Sequence, residues 1–134
     1  MKGIKAKVSR SLPIGTRVNV RDNSGARIIS VISIKGIKTR TRKVASAGVG
    51  DLVMAAVKAG KPELKHQVVP AVIIRQKQAY TRPDGTKIKF EDNAAVLLKD
   101  VKLGLPKGTA IKGPIAREVA LRWPQIAKIA NIVI

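Results

Sequence analysis

From Thr16 onward the chain alternates apolar and polar side chains with a period of two, placing Val18 and Val20 on one side and Arg17, Asn19 and Arg21 on the other. Such alternation marks a strand with one face in a core and the other in solvent. Asp22-Asn23-Ser24-Gly25 is a turn cluster, and the following run, Ala26 to Ile34, is dense in Ile and Val, so a hairpin is predicted between the two strands. Residues 52–57 are apolar at every position. That fits a strand buried on both faces, or a buried helix segment, which periodicity by itself does not separate. Gly60 and Pro62 end this run.

Val72 to Leu98 holds the densest local information. Arg82-Pro83-Asp84-Gly85 has the chemistry of a tight turn: Pro presets φ, Asp bonds its own backbone, and Gly accepts positive φ. The flanking residues read as the two arms of one hairpin. Before the turn, Ile73, Arg75 and Lys77 share a side and Val72, Ile74 and Gln76 the other. After it, Ile88 and Phe90 oppose Lys87 and Lys89. The expectation is an apolar side turned to a core and a row of four cations turned outward. Glu91-Asp92-Asn93 then forms a polar corner, and Ala94 to Leu98 re-enters the interior.

Beyond Asp100 the punctuation changes to Gly104, Pro106, Gly108, Gly113 and Pro114, which predicts a loop. Pro114 suits the first turn of a helix, and Ile115, Ala116, Val119, Ala120, Arg122 and Trp123 recur at helical spacing. Pro124 ends that helix and opens a second, with Ile126, Ile129 and Ala130 inward. One domain over 1–134 is expected: a basic lead-in over 1–10, strands over 16–100, and a loop with short helices over 101–134.

Charge narrows the function. The 134 residues carry 27 Lys and Arg against 8 Asp and Glu, a net +19, spread over the whole sequence. A chain so charged expects a polyanion. The candidates for RNA contact are Arg17, Arg21, Lys35, Lys38, Arg40, Arg42, Lys43, Arg75, Lys77, Arg82, Lys87 and Lys89. Lys112, beside the predicted helix start at Pro114, is a further one, where free N–H groups can meet a phosphate. Aromatic residues are few, Tyr80, Phe90 and Trp123, which favours recognition of RNA shape and backbone over base stacking along a single strand. Phe90 and Trp123 read as packing residues, and Tyr80 beside the turn either packs or stacks on a nucleotide.

Catalytic and metal chemistry find little support. His66 is the one histidine and there is no cysteine, so no zinc set can be assembled and no cofactor is implied. Asp84, Glu91 and Asp92 are explained by turn capping and by pairing with surplus Arg. Gly48-Val49-Gly50 is a lone GxG, and Lys107-Gly108-Thr109 has the wrong order for a phosphate-binding loop. The chain shows neither an apolar run of roughly 18 residues nor a secretory leader pattern, so a cytoplasmic protein off the membrane is expected.

Taken together, GARIISVISIKG, AGVGD, PAVIIRQKQAYTRPDGTKIKFEDNAAVLL and KGTAIKGPIAREVALRWPQIAKIA resemble the universal large-subunit ribosomal protein number fourteen, in its archaeal and eukaryotic branch. The resemblance runs from about Thr16 to the C-terminus. It implies a mainly β fold, a small five-stranded β-barrel with a C-terminal loop and two short α-helices, that binds large-subunit rRNA at the face meeting the small subunit and has no enzymatic role. It also implies a bridge to small-subunit rRNA and contacts with the neighbouring ribosomal proteins number three and eukaryote-type number twenty-four. The anti-association initiation factor six is a further implied partner. The surface from Thr109 to Trp123, with Ile111, Arg117 and Arg122, is the expected protein-docking side. The competing reading from charge alone is a free architectural nucleic-acid-binding protein.

Overall fold

The computed structural model describes residues 10–35 and 45–134. The basic lead-in up to Ser9 and residues 36–44, which include the candidate cations Lys38, Arg40, Arg42 and Lys43, lie outside the described residues. Five strands close into a barrel: β1 (Arg17–Val20), β2 (Ala26–Ile34), β3 (Leu52–Gly60), β4 (Val68–Arg75) and β5 (Ala94–Asp100). Neighbours pair antiparallel from β1 to β5, and β5 closes on β1 in parallel, with Asn19 opposite Ala94 and Val20 opposite Ala95. Closure leaves the barrel without an edge strand. The β1–β2 hairpin and the limits of β2 match the alternation and the Ile/Val run, and the run from Leu52 is a strand.

Two apolar clusters share the barrel wall. Inside it pack Val18, Val20, Ile29, Val31, Val53, Ala55, Val57, Ala71, Ile73, Ala95 and Leu97. Outside, against β4 and β5, lies a second layer in which Val72, Ile74, Val96 and Leu98 meet Tyr80, Phe90, Ile115, Val119, Trp123 and Ile126. Alternate residues of β4 and β5 therefore enter different cores, which is why both strands read as continuous apolar runs while β1 alternates. The outer layer is carried by two short helices, α1 (Arg117–Arg122) and α2 (Pro124–Ile129). Trp123, at the junction, is fully buried and its indole N–H donates to the Gly50 carbonyl at 2.9 Å.

Two local expectations are corrected. The long hairpin around Arg82–Gly85 is cut short: only Tyr80–Thr81 and Lys87–Ile88 pair across the turn. Both edges of β4 are already occupied, Val72 lying opposite Leu52 on one side and Val96 on the other, so Lys87 to Phe90 has no strand to extend. One bond survives, from the Phe90 N–H to the Gln76 carbonyl at 3.3 Å. The turn itself is as read, with the Gly85 N–H on the Arg82 carbonyl, the Thr86 N–H on Asp84, and Gly85 at φ +90°. The first helix also starts later than Pro114. Pro114–Ile115 is extended and runs parallel to Ile132–Val133, and Ala116 at the helix N-cap gives its N–H to Ile74 of β4. Strand pairing at the barrel wall outcompetes the helical start that proline favours. Pro124 does open α2.

Candidate nucleic-acid interface

Three open clefts adjoin on one side of the barrel. The middle one, of about 710 Å³, is bordered by Arg21, Arg75, Lys89, Glu91, Asp92, Lys112 and Gly113. Arg21 and Lys112 also border a second, of about 680 Å³, with Asn19, Asp22 and Arg27. Lys89 also borders a third, of about 490 Å³, with Lys77, Gln78 and Asn93. Arg27, Arg21, Lys112, Lys89 and Lys77 thus form one cationic strip.

The strip draws on separated parts of the chain, and backbone bonds hold them in place. The Lys112 N–H donates to the Arg21 carbonyl at 2.7 Å, laying the 107–113 loop along the end of β1. Asp22, buried in the first turn, accepts from the Ser24 and Leu97 N–H groups and so ties the β1–β2 turn to β5. Asn23 accepts the Thr109 N–H at 2.7 Å and donates to its hydroxyl, and the Lys77 N–H donates to Asn93. Arg21 and Arg75 both reach Asp92 at 3.3 Å.

Of the residues expected to meet RNA, Arg21, Arg75, Lys77, Lys89 and Lys112 converge on the clefts. Arg17 is exposed on the same side of β1 as Arg21, Lys35 is exposed at the end of β2, and Lys87 is exposed on the tip hairpin formed by Tyr80–Thr81 and Lys87–Ile88, though none borders these clefts. Lys38, Arg40, Arg42 and Lys43 lie outside the described residues. Because α1 starts at Arg117, Lys112 has no helix start beside it and its place is instead in the clefts.

Arg82 is corrected from a phosphate contact to a structural one. Its Nε donates to Glu118 at 2.7 Å, one Nη donates to the Ile134 carbonyl at 2.6 Å, and both members of the Arg82–Glu118 pair are buried. The Tyr80 hydroxyl donates to the other Glu118 oxygen at 2.7 Å, so that tyrosine is buried and unable to stack on a nucleotide. Burial is the largest influence on the Glu118 carboxyl and pushes its pKa up, but the bonds from Arg82 and Tyr80 prevail and hold it below the usual glutamate value. Burial, reinforced by Glu118, pushes the Tyr80 hydroxyl well above the usual tyrosine value.

The expected protein-docking side is also redrawn. Ile111 and Trp123 are core residues, 2% and 0% exposed, and offer no side-chain surface. Arg122 pairs with Asp51 at 3.3 Å and lies over the Trp123 ring, while Arg117 and Thr109 are exposed. The apolar groups that do face outward there are Leu121, Ile132, Val133 and Ile134.

Arg27 was not among the residues singled out by pattern, because the Ile and Val around it mask a lone cation at the polar position next to the turn. Asp22 and Glu118 were also missed, and a lone acid inside a basic segment is the signal that could have found either. Among the described residues no group of three or more His, Cys, Asp and Glu could hold a metal, and no helix is long and apolar enough to cross a membrane.

Comparison with known proteins agrees with the resemblance. The family model described as ribosomal protein L14p/L23e matches residues 11–134. The chain is 54% identical to the large ribosomal subunit protein uL14 of Nanoarchaeum equitans and 52% identical to that of Thermoplasma acidophilum, over the full length of both partners in each case. It is 49% identical to the same-named protein of Methanococcus vannielii over 99% of each chain. A match over nearly the whole chain, joined to a closed five-stranded barrel with two short helices, places this chain in the ribosomal protein L14p/L23e family.

Proposed function

We propose that this chain is a non-catalytic structural constituent of the large ribosomal subunit, acting as one domain in the cytoplasmic ribosome and binding large-subunit rRNA through the strip of clefts. The observation that carries the reading is the strip itself. Arg27, Arg21, Lys112, Lys89 and Lys77 line adjoining clefts in which cations outnumber carboxylates. Surplus positive charge along a groove is suited to phosphate backbone, whose contacts set position and register. Arg17, Lys35 and Lys87, exposed outside these clefts, are further candidates for phosphate contact, and Lys38, Arg40, Arg42 and Lys43 are candidates from the sequence alone. Replacing Arg40, Arg42 and Lys43 together by Ala is expected to shrink the salt dependence of rRNA binding by about 0.7–0.9 in log–log slope per lost contact.

The remaining roles follow from the family resemblance: a place at the subunit interface, a bridge to small-subunit rRNA, and contacts with ribosomal proteins number three and eukaryote-type number twenty-four. The docking side for initiation factor six is proposed around Arg117, next to the C-terminal strand, with Leu121, 61% exposed, and Ile132, 53% exposed, as its apolar surface, and Thr109 as a separate candidate at the β1–β2 turn.

The test is a sucrose-gradient profile of a gentle lysate, probed for this chain at low and high salt. Retention in large subunits after a high-salt wash is the expected result. Absence from ribosomal fractions at low salt would overturn the reading and favour a free architectural binder.

A further inference from the structure

The middle cleft differs from its neighbours in having a built floor. Four cations reach it from four separate places in the chain: Arg21 after β1, Arg75 at the end of β4, Lys89 beyond the tip hairpin, and Lys112 in the loop before α1. Two acids face them, Glu91 and Asp92. Asp92 is a bridge between guanidiniums, 3.3 Å from both Arg21 and Arg75, and it holds the two side by side. Four cations against two carboxylates leave a surplus of two positive charges.

Arg75 is the unusual member. It is only 7% exposed, and its Nε–H has no hydrogen-bond partner, the 3.3 Å approach to Asp92 being close enough for ion pairing but misaligned for a bond. Burial is the main influence lowering its pKa, partly offset by Asp92. The Nε is shielded from any ligand and one Nη donates to Asp92 at 3.4 Å, so what Arg75 can offer an anion are its remaining Nη N–H groups and its charge. Gly113 packs directly on this guanidinium. It sits at φ +81°, and any side-chain carbon there would run into Arg75 Nη1.

We propose that this cleft is a seat for two consecutive backbone phosphates of folded RNA, with the Arg75 guanidinium as the donor at its floor and Arg21, Lys89 and Lys112 around its rim. The inference rests on the rRNA reading above and deepens it. Two phosphodiesters carry the charge that balances the surplus, and Arg offers forked donors suited to phosphate oxygens. Phe90, the one aromatic ring at the cleft, is 7% exposed, so bases find no stacking platform and recognition is of backbone.

The test is filter binding of the full chain to deproteinised large-subunit rRNA over a salt series. Lys89→Gln and Lys112→Gln are each expected to lower the log–log salt slope by about 0.7–0.9. Lys128→Gln, on the exposed side of α2, is expected to leave it unchanged. Gly113→Ala removes no charge yet displaces Arg75, and is expected to weaken binding while circular dichroism shows a folded chain. If wild type binds without salt dependence, the rRNA reading itself fails. If wild type binds normally but Lys89→Gln and Lys112→Gln match it, or Lys128→Gln lowers the slope as much as they do, binding is diffuse and the seat is overturned. A folded Gly113→Ala that binds like wild type would also overturn it, by removing Arg75 from the floor. Should Gly113→Ala fail to fold, the three lysine variants decide.

Discussion

Arg75 and Arg82 come from one short stretch and read alike, as cations beside a turn, yet the fold gives them opposite settings. Around Arg82 the charges are matched and the bonds short: Glu118 accepts from Arg82 and Tyr80, each at 2.7 Å, and the Ile134 carbonyl accepts at 2.6 Å. Around Arg75 and Arg21 a single carboxylate serves two guanidiniums at 3.3 Å, and Lys89 and Lys112 stand beside them without an acid each. Charge-assisted N–H to O bonds are usually about 2.7–2.9 Å, so the first cluster is closed and the second stretched. The difference lies in the supply of acid, because the two arginines are almost equally buried, 7% and 9% exposed. An arginine matched by its own carboxylate fastens the Arg82–Gly85 hairpin to α1 and the C-terminal strand, whereas a cluster short of carboxylates keeps capacity for an anion.

That contrast is most exposed to damage at Glu118. Glu118→Gln leaves Arg82 buried without its counter-ion and is expected to cost about 3–5 kcal/mol in urea unfolding, with the salt slope of rRNA binding unchanged. A loss under about 1 kcal/mol would mean that the cluster is not the fastener described. Asp92→Asn is expected to cost less, about 1–3 kcal/mol, because Asp92 is more exposed and its bonds are longer. If the two losses are equal, the distinction between closed and open clusters does not hold.

Acid sharpens the same point. The Glu118 carboxyl lies below the usual glutamate value when folded, so its stabilising contribution is fully present above the ordinary range, about 4.3, and disappears as pH falls through the lowered value. The stability gap between wild type and Glu118→Gln is therefore expected to be flat from neutral pH to about 5 and to shrink below about 4, measured by urea unfolding at each pH. A gap that widens on acidification would reverse the sign. The smallest stability effect belongs to Lys89→Gln, expected within about 0.5 kcal/mol of wild type, since the side chain is exposed.

Part of the fold was legible because some of its signals are local, although the barrel closes through a distant pairing of β1 with β5. Alternation in β1, the Ile/Val run of β2, the turn at Arg82–Gly85 and the helix start at Pro124 are short-range patterns and survive in the structure. The partner of Lys87 to Phe90 was not legible, since it depends on both edges of β4 being taken by β3 and β5. Helical spacing placed Ile115, Ala116, Val119 and Trp123 together correctly, yet it started the helix too early because the pairing of Pro114–Ile115 with Ile132–Val133 is long-range. The site was harder. Periodicity sorts cations by strand face, but Arg82 is removed from the surface by an acid far along the chain, and Ile111 is drawn inward by a loop that no period describes. Lys112 joined the cleft for a reason other than the helix start that first marked it.

The central claim is that surplus cations on the strip of clefts, and not the arginine of the buried cluster, meet rRNA. Lysine acetylation of the free chain and of intact large subunits, read residue by residue by mass spectrometry, tests it most directly. Strong protection of Lys77, Lys89 and Lys112 on assembly is the predicted result. Equal labelling of all three in the free chain and in the subunit would contradict it.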